Sequence, residues 1–252
     1  MQRADRVFMR LLGNLSRGAQ SSKGVERLFW RLPCPWRRVI AKVCRIPSGV
    51  SPDLAAEILR RKMLFIHVPK TAGVSVQRSL FGRVLFFHQS FRQFELAFTG
   101  SQLASLFKFT FVRNPWDRLV SGWTFLREGG YGEQDRAWFA THLARFPDFQ
   151  SFVLNWVSRE DVQRAYVHFR PQVDFVRSGR GNLQMDFIGR FENLACDFDR
   201  LSRLVGCAVP LQSHNRTRQR SSASYRECYT PGTADVVARV YRDDIRTFGY
   251  EF

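Results

Sequence analysis

"MLFIHVPKTAGVSVQRSL", residues 63–80, decides how this chain is read. An apolar run that fits a buried strand ends at Pro69, meets Lys70 and Gly73, and passes at once into a helical stretch that carries Ser75. In such a strand-loop-helix corner the first helical amides point outward unpaired and carry partial positive charge, so the corner is an anion site. Gly73 lets backbone approach the anion, Lys70 adds a mobile full charge and Ser75 a hydroxyl. The pattern GxxxxGK[ST] is absent, because here the Lys precedes the Gly. The alternative, a solvated turn Lys and a helix-capping Ser, is equally open for this stretch taken alone.

Working outward, the chain after residue 62 alternates short apolar strands with helical stretches. "VLFFH" (84–88) is expected as a second strand, "FRQFELAF" as a helix, "FKFTFV" as a third strand and "NPWDRLVSGWTFLRE" as a helix with Pro115 at its first position. An aromatic-rich helical insertion over 135–160, a late strand in "MDFIGRF" and a helix in "NLACDFDRLSRLVG" follow. "TPGTADVVARVYRDDIRTFG" is expected as one closing helix. The alternation predicts an α/β domain.

"FKFTFVRNPWDRLVSGW" places Arg113 at the carboxyl end of a strand, the sheet edge where ligands bind, and Arg suits phosphate because its planar fork donates two parallel hydrogen bonds. Ser121 lies off the Trp116, Leu119, Trp123 stripe, so the core does not need it. A strand-end Arg paired with Asp117, beside a surface Ser, is the structural alternative. Two anion-binding strand ends in one domain make the functional reading the stronger.

Residues 1–61 read as a basic extension and 62–252 as the domain. Residues 1–62 hold 14 Lys or Arg against 4 acids, a net +10 out of +17 for the whole chain. Apolar residues spaced among arginines, as in "VERLFWRLPCPWRRVIAKVCRIP", fit either a basic amphipathic surface helix that meets anionic membrane or an extension packed on the domain. The five cysteines are widely spaced without a CxxC pair, and no apolar run reaches the ~18–20 residues of a membrane span. These features set the expectation of a cytoplasmic protein, peripheral to a membrane at most, with no metal.

The pair "FIHVPKTAGVSV" and "FTFVRNPWDRLVSGW", with "HFRPQVDFV", "DFIGRFENL" and "YRDDIRTFGYEF", resembles the Golgi-type carbohydrate sulfotransferases and their bacterial relatives, over about residues 62–252. The resemblance implies a three-layered, P-loop-like α/β fold with a central, mainly parallel sheet flanked by helices, and sulfuryl transfer from 3′-phosphoadenosine 5′-phosphosulfate to a hydroxyl of a carbohydrate or glycolipid, without a metal. It gives Lys70, Thr71, Gly73 and Ser75 to the 5′-phosphosulfate and Arg113 and Ser121 to the 3′-phosphate. Arg220 and Tyr225, in a basic loop that folds over the nucleotide in the family, become cofactor contacts; His168, Arg170 and Gln172 of "HFRPQ" become acceptor contacts. Val74 stands where the family commonly has Thr, which removes one hydroxyl contact. Among the histidines, His67 fits a core position inside a strand, and His142 and His214 carry no motif. His88 sits where the related heparan 2-O-sulfotransferases carry their catalytic His, so it is the expected base, with Lys70 beside it and Glu95 as a fallback.

Two other functions stay open at this point. A small-molecule kinase would require a Walker lysine and acidic magnesium ligands, and neither is visible. A nucleic-acid-binding protein would suit the net charge, but no recognisable module is present.

Overall fold

The computed structural model describes residues 29–43, 48–159, 162–212 and 225–252. It is a mixed α/β fold whose three-stranded parallel sheet has the order β1 (Met63–Ile66), β2 (Phe107–Val112), β3 (Phe187–Arg190), flanked by helices. β1 and β2 are short, mostly apolar runs almost wholly buried, as strands covered on both faces must be, whereas β3 buries Phe187 and Gly189 and exposes Arg190. The P-loop-like α/β expectation is met.

The described residues form two compact units. One takes the residues up to Ile66 with Gln89–Phe109 and Phe175–Phe187; the other takes His67–His88, Thr110–Asp174 and Ile188–Phe252. In the first, helix α1 (Cys34–Val43) buries Arg37, Ile40 and Ala41 and packs against the helix Phe91–Ala97, where Arg37 meets Glu95 at 3.3 Å. This described part of the extension is therefore a packed element. Its outer face shows Trp36 and Val39, each about half exposed. Among the described residues no helix is long and apolar enough to cross a membrane.

The second unit holds the chemistry-bearing residues. Helix α2 (Gly73–Phe81) follows the loop after β1, and helix α3 (Pro115–Arg127) follows β2. Asn114 caps α3 by accepting from the Trp116 amide at 3.0 Å, and Pro115 occupies the first turn, where its missing N–H costs nothing. The inner stripe of α3, with Trp116, Leu119, Trp123 and Leu126, is buried with Phe152, Trp156, Phe169 and Val237. Trp123 stacks on Phe152 with ring centroids 4.5 Å apart.

Two expected elements differ. Residues 84–88 form no strand. Their ladder partner is one side chain: the Gln77 carboxamide accepts from the Leu85 and Phe86 amides at 2.9 and 2.6 Å and donates to the Phe86 carbonyl at 2.9 Å. The closing helix is two helices, Pro231–Val240 and Arg242–Phe248, broken at Tyr241. That buried ring gives its hydroxyl proton to the Phe169 carbonyl at 2.7 Å.

Candidate active site

The loop between β1 and α2 has an unusual backbone. Lys70 and Ala72 both lie in the left-handed region, at φ 69° and 64°, though neither is glycine. Such strained positions cost of order 1–3 kcal/mol each and persist where surrounding contacts over-determine them. Here Thr71 Oγ1 donates to the Val68 carbonyl at 2.8 Å, Arg118 Nε donates to the Pro69 carbonyl at 3.0 Å and Arg113 Nη1 to the Lys70 carbonyl at 3.2 Å. With its carbonyls turned to the arginines, the loop leads into the open amides of α2, a backbone concavity suited to an anion. Gly73 is required by close approach, since a Cβ there would lie 2.0 Å from His67 Cδ2. The Thr71 hydroxyl is spent on the loop itself. Ser75 is buried in the first turn of α2 and Val74 is half-buried beside it.

Lys70 Nζ stands 3.8 Å from the centre of the Phe125 ring, and among the described residues it makes no ion pair with a carboxylate. Burial, and then the neighbouring Arg113 charge, push its amine down to about 7 from the usual 10.5. An anion placed in the loop would oppose both effects and restore the ammonium.

Three imidazoles gather beside it. His67 and His88 have ring centroids 4.5 Å apart, and His88 and His168 5.8 Å. His168 packs in turn on Phe125 at 4.9 Å, the ring that carries Lys70. His67 is the core histidine expected: buried, its Nδ1 3.1 Å from the Phe86 carbonyl and 3.3 Å from Gln77 Nε2, and held down to about 3 by burial and then by His88. His88 Nδ1 lies 3.2 Å from the His67 carbonyl. A carbonyl only accepts, so Nδ1 carries the proton in the neutral ring and Nε2 is left as the basic nitrogen. Burial lowers the His88 pKa from its ordinary value, which keeps the ring neutral.

His168 is buried, and among the described residues its Nδ1 has no hydrogen-bond partner. Its Nε2 faces Asp135 Oδ1 at 3.7 Å; that carboxylate also accepts from the Tyr166 hydroxyl and, at 2.8 Å, from the Tyr131 amide. Burial and the nearby His88 and Lys70 charges hold the His168 pKa well below the ordinary range.

Arg113 gives Nε–H to Asp117 Oδ2 at 2.7 Å, and its guanidinium lies 4.0 Å from the Phe191 ring centre. The structural pairing with Asp117 is thus present, with the Nη2 amine left over. Ser121 is half-buried on α3. Gln172 is fully buried and clamps Arg113, accepting from its amide at 2.9 Å and donating to its carbonyl at 2.8 Å, so both ends of its carboxamide are used within the protein. Arg170 lies along Asp174, donating to its carbonyl at 3.3 Å. Tyr225 accepts from Asn114 Nδ2 at 3.4 Å, close to the Arg113 strand end. Arg220 and His214 lie outside the described residues. Glu95 belongs to the other unit, where it accepts from Arg37 and from the Gly179 amide.

Three contributors escape a reading of the sequence: Gln77, Asp135 and Arg118. Gln77 and Asp135 are polar residues in helical stretches, where the default is a solvated face. Arg118 is fully buried and favoured by the charge of Asp244, but among the described residues it makes no direct ion pair, donating also to the Arg170 carbonyl at 2.7 Å and the His168 carbonyl at 3.4 Å. Asp244 anchors the same segment by accepting from the Gln172 and Val173 amides at 2.8 and 2.9 Å, and burial raises its pKa to about 6.

A loop of open backbone amides with a lysine, a strand-end arginine and an oriented neutral imidazole lie in one unit, an arrangement chemically suited to holding a charged donor and taking a proton from a hydroxyl. Comparison with curated proteins and comparison with solved structures each return no match. A family model described as "Sulfotransferase family" matches residues 59–251, which takes in both strand-end sites and all three imidazoles, and the chain therefore belongs to the sulfotransferase family.

Proposed function

We propose that this sulfotransferase takes its sulfuryl group from 3′-phosphoadenosine 5′-phosphosulfate and delivers it to a hydroxyl of a carbohydrate acceptor. The observation that carries the reading is the His88–His67 hydrogen bond, which makes Nε2 of a neutral imidazole the proton acceptor beside Lys70. The donor supplies a sulfuryl group bonded to a good leaving phosphate. The acceptor oxygen bonds to sulfur, its proton passes to His88 Nε2, and the bond from sulfur to the bridging phosphate oxygen breaks with its electron pair going to that oxygen. Lys70, recharged by the donor, stabilises that oxygen together with the first amides of α2. Backbone amides serve at Val74, where a hydroxyl would otherwise add a contact. Arg113 Nη2, with Ser121 on the helix that follows, holds the 3′-phosphate.

The test is the ligand that raises the melting temperature. Saturating 3′,5′-adenosine bisphosphate should do so and ATP with magnesium should not, since stabilisation follows the ratio of ligand concentration to dissociation constant. The reverse result would overturn the donor assignment. The acceptor is tested by transfer of radiolabelled sulfate from the donor to a panel of desulfated glycans and glycolipids; label on none of them, with label on a phenol or a steroid alcohol, would overturn the carbohydrate assignment.

A further inference from the structure

Arg118 is a buried cation favoured by the charge of Asp244, yet among the described residues its hydrogen bonds go to backbone carbonyls and to no carboxylate. Its planar fork divides between two segments: Nε donates to the Pro69 carbonyl, immediately before Lys70, while Nη2 donates to the carbonyls of Arg170 and His168. From these hydrogen bonds we infer that Arg118 is a positioning residue that joins the Lys70 loop to the His168 segment, so that an anion bound at the first stiffens the second. In its choice of probe this inference rests on the donor reading above.

Three further observations support it. The Lys70 loop is strained, so its conformation depends on contacts from outside, and the Arg118 bond to Pro69 sits one residue before the first left-handed position. The second segment is pinned at its far end by Asp244 and by Gln172, while at the end that carries His168 the Tyr241 hydroxyl holds the Phe169 carbonyl and Arg118 holds the His168 and Arg170 carbonyls on either side of it, the one tie among the described residues from there to the Pro69 carbonyl. A guanidinium reaches both segments because its donors are spread across a rigid fork; an ammonium is a point charge on one stem and cannot span them. Arg118 thus acts through geometry on two residues it does not itself replace in the chemistry.

Amide hydrogen exchange of the full chain tests this, with 3′,5′-adenosine bisphosphate as probe. In the wild type the nucleotide is expected to slow exchange in both 67–73 and 168–173. In Arg118→Lys it should still slow 67–73 while 168–173 returns to its unliganded rate. Protection of 168–173 that survives in Arg118→Lys, or that is missing in the wild type while 67–73 is protected, overturns the inference. If the nucleotide protects neither segment, the donor reading fails, and the unliganded proteins decide the inference on their own. Arg118→Lys should then raise exchange in both segments by about tenfold, and a rise confined to one overturns it. A variant too unstable to fold leaves the wild-type measurement under mild denaturant: the two segments should open with one common free energy and denaturant slope, and two distinct values overturn the joint.

Discussion

Arg113, just before α3, pairs with Asp117 in the first turn of that helix, with Nε 2.7 Å from Oδ2, so the strand-end arginine already has a carboxylate partner within its own chain. The pair sets the Arg113 fork in place and leaves Nη2 for an incoming anion. Arg113→Ala should therefore weaken 3′,5′-adenosine bisphosphate by tenfold or more and adenosine 5′-phosphosulfate much less, because the second ligand has no 3′-phosphate. Asp117→Asn keeps an oxygen to accept Nε–H and removes the negative charge, so it should bind the bisphosphate a few-fold tighter at low salt. Calorimetric titration of both ligands measures each effect; equal losses in Arg113→Ala would assign that residue to structure alone.

Lys70 predicts a proton uptake. At pH 8 an amine with a pKa of about 7 is mostly neutral, and a bound polyanion draws the proton back. Binding of 3′,5′-adenosine bisphosphate at pH 8 should take up close to one proton, read as a dependence of binding enthalpy on buffer ionisation enthalpy. Lys70→Arg, charged throughout, should show none. The same shift has a sign in stability: the folded pKa lies below the unfolded 10.5, so the unfolded chain binds more protons between about pH 7 and 10.5 and this group's contribution to stability rises with pH across that window. Lys70→Met should flatten that rise in melting curves.

His88→Asn separates chemistry from architecture. The Asn amide can still donate to the His67 carbonyl, so folding and nucleotide affinity should hold while turnover falls at least a hundredfold. In the wild type the acidic limb of kcat should lie below the ordinary imidazole value, because burial lowers the His88 pKa, and the variant should lose that limb. The same loss in His168→Asn, with His88→Asn active, would move the base to His168.

Gln77→Leu removes both ends of the carboxamide that stands in for a missing strand. Two amides and one carbonyl of residues 85 and 86 lose their bonds to it, at a cost of about 2–4 kcal/mol in stability. Because His88 follows directly, turnover should fall further than stability accounts for. Denaturant unfolding and turnover on one preparation give both numbers; full turnover in the folded variant would show that His88 is placed by other contacts.

The Lys70 corner and the Arg113 strand end are legible in the sequence because each follows an apolar strand and precedes a helix, a pattern only local spacing has to supply. What lies between them is not. Residues 84–88 look like a strand, being apolar throughout, yet their hydrogen bonds go to a glutamine whose partner segment begins eight positions away in sequence. Arg118 looks like one more helix-surface cation in an arginine-rich chain, and only the fold reveals that it is buried with three carbonyls. The closing helix reads as continuous because Tyr241 is compatible with helix; its hydroxyl contact with Phe169 belongs to tertiary packing, and the break at that residue cannot be read from propensity.

A lysine held near neutrality is also a nucleophile. Exposed lysines are almost wholly protonated at pH 7 and react slowly with electrophiles, whereas roughly half of the Lys70 amines carry a lone pair there. Lys70 would therefore be labelled early by a sparing amount of an aryl sulfonyl fluoride or an ortho-hydroxy aldehyde, and a nucleotide seated in the loop would shield it. An adenosine carrying such a group would become a covalent inhibitor aimed at the residue that the 5′ end of the donor is expected to meet.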